Sequence, residues 1–361
     1  MRFSERWQSI RDSVVADDVK VVSFDLFRTV LDRPCCTDAM LRLLAAEADM
    51  DLKEFTDRRN ACGGWWALRD MDSHILKQKE MAMECRFIQM RESVLALSEA
   101  AKGAGKTVIV ITDNYIPSEL LTKALSNTRF RFDRVFSSAD TGNSKEDGSL
   151  FSVVIDSLRE SMPDLVPADI FHIGDNHVSD VVNAQAHGIR AMHYPAASDL
   201  FRENFLFGAM SPSTVGDELL EGYVAGSMFD DPFSCGTDAI NGDPRFIGLL
   251  VFPLVFGACA ELTEGDSARM AEIFLDIRAH ADEILDVCSR YVPTDGTAVR
   301  MLGYTFADDA AADTLSFMCS GFLRIVSEDL PHLRFSMSMY ADALQRAADQ
   351  CPRDTLVSRL L

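Results

Sequence analysis

Five short runs of β-branched and apolar residues, each followed by helix-like text, constrain this chain more than any other feature of its sequence. They are Lys20–Phe24 (KVVSF), Thr107–Ile111 (TVIVI), Arg134–Phe136 (RVF), Ile170–Ile173 (IFHI) and Ile189–His193 (IRAMH). A continuous apolar run of this length needs cover on both of its faces, unlike a strand that alternates apolar and polar residues. Helical patterns at Pro117–Ser126, Leu150–Ser161 and Asp180–His187 can supply that cover, the last closed by Gly188 as a natural C-cap. Strands alternating with helices predict an α/β core, a parallel sheet with helices on both faces.

Two stretches depart from that rhythm. Between Arg33 and Gly103 no convincing strand can be found, only helix-period text such as DAMLRLLAAEADM and EMAMECRFIQMRESVLALSEAAK. That is too long for a strand-to-strand connection and reads as an inserted helical subdomain over residues 35–103, splitting a core of 1–34 and 104–197. Beyond residue 198 the alternation stops, and 198–361 reads as a mainly helical extension. In it, Ser211–Asp243 reads as a Gly- and Ser-rich linker, and Asp266–Tyr291 and Asp309–Ser327 as amphipathic helices. The uncharged run Phe246–Ala260 falls short of the roughly 18 residues of a membrane span and is broken by Pro253, so it reads as a buried core helix.

Charge and cysteine use narrow the partners. With 35 basic and 56 acidic residues the formal charge is −21, which opposes any role built on clustered Lys and Arg along a phosphate backbone. Nucleic acid is therefore not an expected partner, and the short apolar run above gives no reason to expect a membrane. A small phosphorylated substrate remains open, because one pocket can be positive on an acidic protein. Met1–Lys20 has no apolar signal-peptide core, and the nine Cys form no CxxC pair, so free thiols in a reducing, cytoplasmic setting are expected.

Ligands of an open parallel sheet sit beyond the carboxyl ends of its strands. There this sequence places Asp25 after the first run, Thr112-Asp113-Asn114 after the second, Lys145 after the third, and Gly174-Asp175-Asn176 with Asp180 after the fourth. A carboxylate can act as a covalent nucleophile. On a phosphoryl group it needs its own charge and the incoming one neutralised, which a cation held by Asp25 and Asp175, with Lys145 and the Thr112 hydroxyl, would provide.

These four segments resemble the motifs of the haloacid dehalogenase (HAD) superfamily. The resemblance covers roughly residues 18–197. It implies a Rossmann-like parallel sheet with an inserted helical cap, Mg²⁺ as cofactor, and Asp25, Thr112 and Lys145 as catalytic residues. It further implies phosphate or substrate contacts from Asp113 and Asn114, whereas Arg28, where the subgroup named below often has an acidic residue, reads either as a contact to an anionic substrate group or as a partner of an acidic neighbour. The metal would be held by Asp25, Asp175, the backbone carbonyl of Phe27, and Asp180 in support. Family phosphatases usually carry a second Asp two residues after the nucleophile, as acid and base; here that residue is Phe27, whose ring has no proton to give. Haloacid dehalogenases also lack that Asp, but they work without a metal and lack the carboxylate matched by Asp175. The wording SFDxFxT…GDNxxSD resembles a subgroup often associated with glycosyltransferases in cell-surface polysaccharide loci.

Other residues stay open. His172, His177, His187 and His193 match no ligand spacing and read as core or surface histidines, with His177 alone placed to stand in for the missing acid. Trp65, Trp66 and Arg69 read as a cap packing patch or a substrate entrance. Two functions follow: a Mg²⁺-dependent phosphohydrolase acting on a small phosphorylated metabolite, or a weakly active or inactive HAD-like binding protein. The second would use residues 198–361 for a homodimer or a protein partner.

Overall fold

The computed structural model describes residues 3–32, 37–61, 82–83, 86–203, 210–233, 244–293 and 296–350. Trp65, Trp66, Arg69, Cys35 and Cys36 lie outside the described residues. The chain divides into two compact units.

The first unit comprises Met1–Arg33, Met40–Asp199 and Phe229–Ser234. Its seven described strands are β1 (Val21–Phe24), β2 (Leu31–Asp32), β3 (Gln89–Met90), β4 (Thr107–Thr112), β5 (Arg134–Ser137), β6 (Ile170–Gly174) and β7 (Arg190–His193). Five of these form a parallel sheet in the order β5-β4-β1-β6-β7, so the first strand lies at its centre. The helices used below are α1 (Glu5–Val15), α2 (Thr37–Glu47, in this unit from Met40), α3 (Leu52–Ala61), α4 (Glu92–Gly103), α5 (Ser118–Ser126) and α6 (Ser149–Arg159).

The apolar runs explain the layering. Successive side chains of a strand point to opposite faces. Val22, Phe24, Val108 and Val110 pack on one face with Trp7, Ile10 and Val14 of α1 and Val94 and Leu97 of α4. Val21, Ile109 and Ile111 pack on the other with Leu150, Phe151, Val154 and Ile155 of α6. Gly188 takes φ +79° at the helix end read from the sequence.

Two expectations are corrected here. The stretch without strands contains β3, two residues long, which pairs antiparallel with β2 and ties the two ends of the insertion together. A two-residue strand is too short to carry a period. Of the helix-period text before Gly103, residues 82–83 and 86–87 are helical, and the helix from Glu92 packs on α1 and β4 within the sheet's own hydrophobic cluster. Within the rest of the insertion, α2 and α3 are helical as read.

The second unit comprises Pro34–Ala39, Leu200–Met228 and Cys235–Leu361, and every regular element described in it beyond residue 210 is helical. They include α7 (Val215–Met228), α8 (Pro244–Leu262), α9 (Ser267–Leu275), α10 (Ala281–Ser289), α11 (Thr297–Ala307), α12 (Asp309–Val326) and α13 (Met337–Gln350). The linker expected over Ser211–Asp243 instead contains α7, a correction with a steric reason. A Cβ on Gly216 would come within 2.4 Å of the Arg334 carbonyl, so a residue that reads as a breaker is required by packing. Helix α8 is the central element, apolar on all sides and packed by α10, α11, α12 and α13. At 19 residues it is the one described helix long and apolar enough to cross a membrane, and 72% of its apolar window is buried inside the protein.

Candidate active site

Asp25 is the first residue beyond β1, and its N–H donates to the Ile173 carbonyl at 2.9 Å, which locks it against the end of β6. The chain then doubles back. Val30 and Leu31 both donate N–H to the Leu26 carbonyl, and Arg28 donates its own N–H to Leu31 at 2.6 Å. Arg28 takes φ +68° in this turn, a left-handed conformation in which a side chain is strained. The Phe27 ring packs on the hydrophobic cluster under the sheet.

The Lys145 loop is positioned by Asp113, whose carboxylate accepts N–H bonds from Lys145 (2.9 Å) and Glu146 (3.2 Å) and the Ser144 hydroxyl (2.8 Å). Asn183 closes it from the other side by donating to the Lys145 and Glu146 carbonyls. So held, the buried Lys145 sends Nζ to Asp25 Oδ1 at 2.5 Å and Asp180 Oδ1 at 2.6 Å.

After β6 the chain enters a π-helical turn, His177–Val182, of a type often found at functional sites. The Asn176 side chain caps it by accepting N–H bonds from Val178 and Ser179. Asp180 Oδ2 accepts the Asn176 N–H at 2.9 Å. A Cβ on Gly174 would lie 2.3 Å from Asp180 Cγ, so only glycine lets the carboxylate fold back over the strand end. Asp175 receives Arg28 Nη1 at 3.3 Å and the Thr29 hydroxyl at 3.5 Å.

The sequence-derived set thus divides. Asp25, Lys145, Asp175 and Asp180 converge, with Arg28 against Asp175 on the outer side, also paired to Asp199 at 2.5 Å. Thr112, buried, ends the neighbouring strand β4. Asp113 turns its carboxylate into the Lys145 loop, and Asn114 accepts the Ile116 N–H with its side chain while its own N–H donates to the Ser138 hydroxyl. Two residues outside the expected set join it: His172, expected as a core or surface histidine, lies between the Ser23 hydroxyl (2.8 Å) and Asp180 (3.3 Å). Their only signal was two polar residues inside otherwise apolar strands. His193 contacts the Asp175 carbonyl at 2.7 Å, and the His177 ring stands edge-on to His193.

Burial and crowding set the electrostatics. Burial raises Asp25 to about 6 against the opposing pull of Lys145, with Asp180 and Asp175 adding to the rise. Asp175 likewise rises to about 6, by burial more than Arg28 counteracts. Burial would raise Asp180 as well, but the His172 hydrogen bond and the Lys145 charge hold it below the usual carboxylate range. Burial would lower Lys145, yet Asp25 and Asp180 keep it firmly protonated.

Asp25, Asp175 and Asp180 each offer an oxygen, all within 4.8 Å of one another. An all-carboxylate set is the donor chemistry of a hard cation such as Mg²⁺. Two of the three are raised by their surroundings, a strain that a bound cation would relieve. The residues fit such an ion.

No family model matches the chain, and no curated protein matches it. Among solved structures the chain is similar to a HAD-hydrolase from Bacillus subtilis bound to magnesium, with 18% identity, 48% of this chain and 87% of that chain covered, and a TM-score of 0.35. A HAD phosphatase from Thermococcus onnurineus shares 18% identity over 48% of this chain and 86% of its own, with a TM-score of 0.33. A 2-haloacid dehalogenase from Pseudomonas syringae pv. Tomato DC3000 shares 20% identity over 49% and 86%, with a TM-score of 0.35.

Proposed function

We propose that this chain is a HAD-type phosphohydrolase that is Mg²⁺-dependent, acts on a small phosphorylated metabolite and passes the phosphoryl group through Asp25. The observation that carries the reading is the convergence of Asp25, Lys145, Asp175 and Asp180 from three separate strand-end loops. Desolvated carboxylates around one lysine are costly to a fold unless the site uses them.

Asp25, Asp175 and the Phe27 carbonyl would hold the ion, with Asp180 in support; when bound, it supplies positive charge to the phosphate oxygens and to Asp25. Lys145 engages Asp25 Oδ1, which leaves Oδ2 to attack phosphorus. The new bond joins that oxygen to phosphorus, and the bond from phosphorus to the leaving oxygen breaks, its electron pair going with the leaving group. Lys145 and the Thr112 hydroxyl steady the transferring phosphoryl group. Water then attacks phosphorus, releasing inorganic phosphate and restoring the Asp25 carboxylate. No proton donor stands at Phe27, so the leaving oxygen departs as an anion or takes its proton from solvent.

Phe27 also favours a second reading, a protein that binds a phosphorylated ligand in this pocket with little turnover. Release of p-nitrophenol from p-nitrophenyl phosphate, dependent on Mg²⁺ and abolished in Asp25→Asn, is the expected result. Absence of metal-dependent release, together with saturable vanadate binding, would favour the binding protein instead.

A further inference from the structure

We propose that His172 is a positioning residue of this site: backed by Ser23, it donates Nε2–H to Asp180 and thereby fixes the carboxylate that anchors Lys145. This rests on the reading of the Asp25 pocket as a phosphoryl-transfer centre. Ser23 and His172 are register partners on the adjacent parallel strands β1 and β6, so their side chains share one face of the sheet. Both are fully buried, and Phe151 packs edge-on against the imidazole at 5.4 Å.

The hydrogen-bond inventory of this cluster orients the imidazole. Lys145 has donors only, and Asp180 meets a donor at each of its two oxygens, as a carboxylate does. Asp180 Oδ1 takes Lys145 Nζ at 2.6 Å, and Oδ2 takes the Asn176 N–H at 2.9 Å. The ring nitrogen 3.3 Å from Oδ1 must therefore carry its hydrogen. Nδ1 faces the Ser23 hydroxyl at 2.8 Å, which can donate to it or accept from it, so the Nε2–H bond to Asp180 holds for either form of the ring. Burying a histidine and a serine in a sheet interior costs free energy that valine or leucine would not, unless the pair does something for its neighbours. Here it supplies Asp180 with a third donor, on the same Oδ1 that takes Lys145. An outer partner of this kind typically matters about 10–100-fold in activity or metal affinity.

The test compares His172→Gln, whose amide can still donate near the Nε2 position, with His172→Asn, whose shorter amide serves only the Ser23 side. Folding of each is checked by circular dichroism. The first arm needs no turnover: ¹⁵N spectra of histidine-labelled, metal-free protein are expected to show Nε2 of His172 protonated. A proton on Nδ1 alone, with Nε2 bare, would overturn the proposal. The second arm reads Mg²⁺ affinity by calorimetry and p-nitrophenyl phosphate kinetics. His172→Asn is expected to lose about 10–100-fold in kcat or Mg²⁺ affinity with KM little changed, and His172→Gln to recover most of it. Equal loss in two folded variants, or loss in neither, would also overturn it. A wild-type protein with no Asp25-dependent turnover would instead sink the phosphohydrolase reading, leaving the ¹⁵N result to decide the role of His172.

Discussion

In the phosphohydrolase proposed above, position 27, where an acid would protonate the leaving oxygen, carries a benzyl group whose ring packs on the hydrophobic cluster under the sheet. Missing acid catalysis costs about 10²–10⁴ in rate, and the loss grows with the basicity of the leaving group. Aryl, acyl or anomeric phosphates are therefore expected to turn over, and simple alkyl phosphates to fall behind by about that factor. A series of kcat/KM values against leaving-group pKa checks this; a flat series would mean that another residue donates the proton. The neighbouring Arg28 shows how local strain and charge combine. Its φ of +68° costs a side chain about 1–2 kcal/mol that glycine does not incur, while its guanidinium pairs with Asp175 and Asp199. Arg28→Gly and Arg28→Ala lose the same ion pairs, but only the alanine retains the strain. Urea denaturation should find Arg28→Gly the more stable of the two by about 1 kcal/mol. Equal midpoints would show that the turn relaxes.

Elements carry the site because each strand end is closed by its own hydrogen-bond device. At the end of β6 that device is Gly174, over which Asp180 folds. The Asp180 side chain cannot give way, since Lys145, His172 and the Asn176 N–H hold it. Gly174→Ala is thus expected to destabilise the protein by about 1–3 kcal/mol, as overpacking does, and to remove turnover by displacing Asp180. Denaturation and p-nitrophenyl phosphate assays read the two effects; a fully active variant would contradict the geometry. Strands of this kind were legible within about one residue, because burial on both faces forces uninterrupted apolar text. Less legible were elements whose reason lies in distant partners. β3 exists through its pairing with β2, and α7 tolerates Gly216 because the Arg334 backbone passes beside it. The same holds among site residues. The convergence of Asp25, Lys145, Asp175 and Asp180 was legible because the sequence places each of them beyond a strand end. The Asp113 carboxylate takes the Lys145 loop's N–H groups, a role that only the folded loop discloses.

On the scale of the whole chain, a formal charge of −21 means that any added cation will screen repulsion, so a specific metal effect has to be separated from a general one. The pH dependence makes the separation. Asp25 and Asp175 rise from 3.8 to about 6 on folding, so the folded protein binds these protons more tightly than the unfolded one. Their contribution is present at low pH and is lost as pH rises through about 6. Asp180 works in the opposite sense: its contribution is present above 3.8 and fades on acidification below that value. Mg²⁺ must compete with the protons on Asp25 and Asp175, so its affinity should climb across the window in which the metal-free protein weakens. Magnesium at about a hundredfold over its dissociation constant would then add about 2.7 kcal/mol near pH 7.5, and clearly less at pH 5. Thermal melts with and without Mg²⁺, against NaCl at equal ionic strength, measure the difference. Screening alone would stabilise the protein equally with either salt and would survive Asp175→Asn, whereas an ion seated among these carboxylates would lose its effect in that variant.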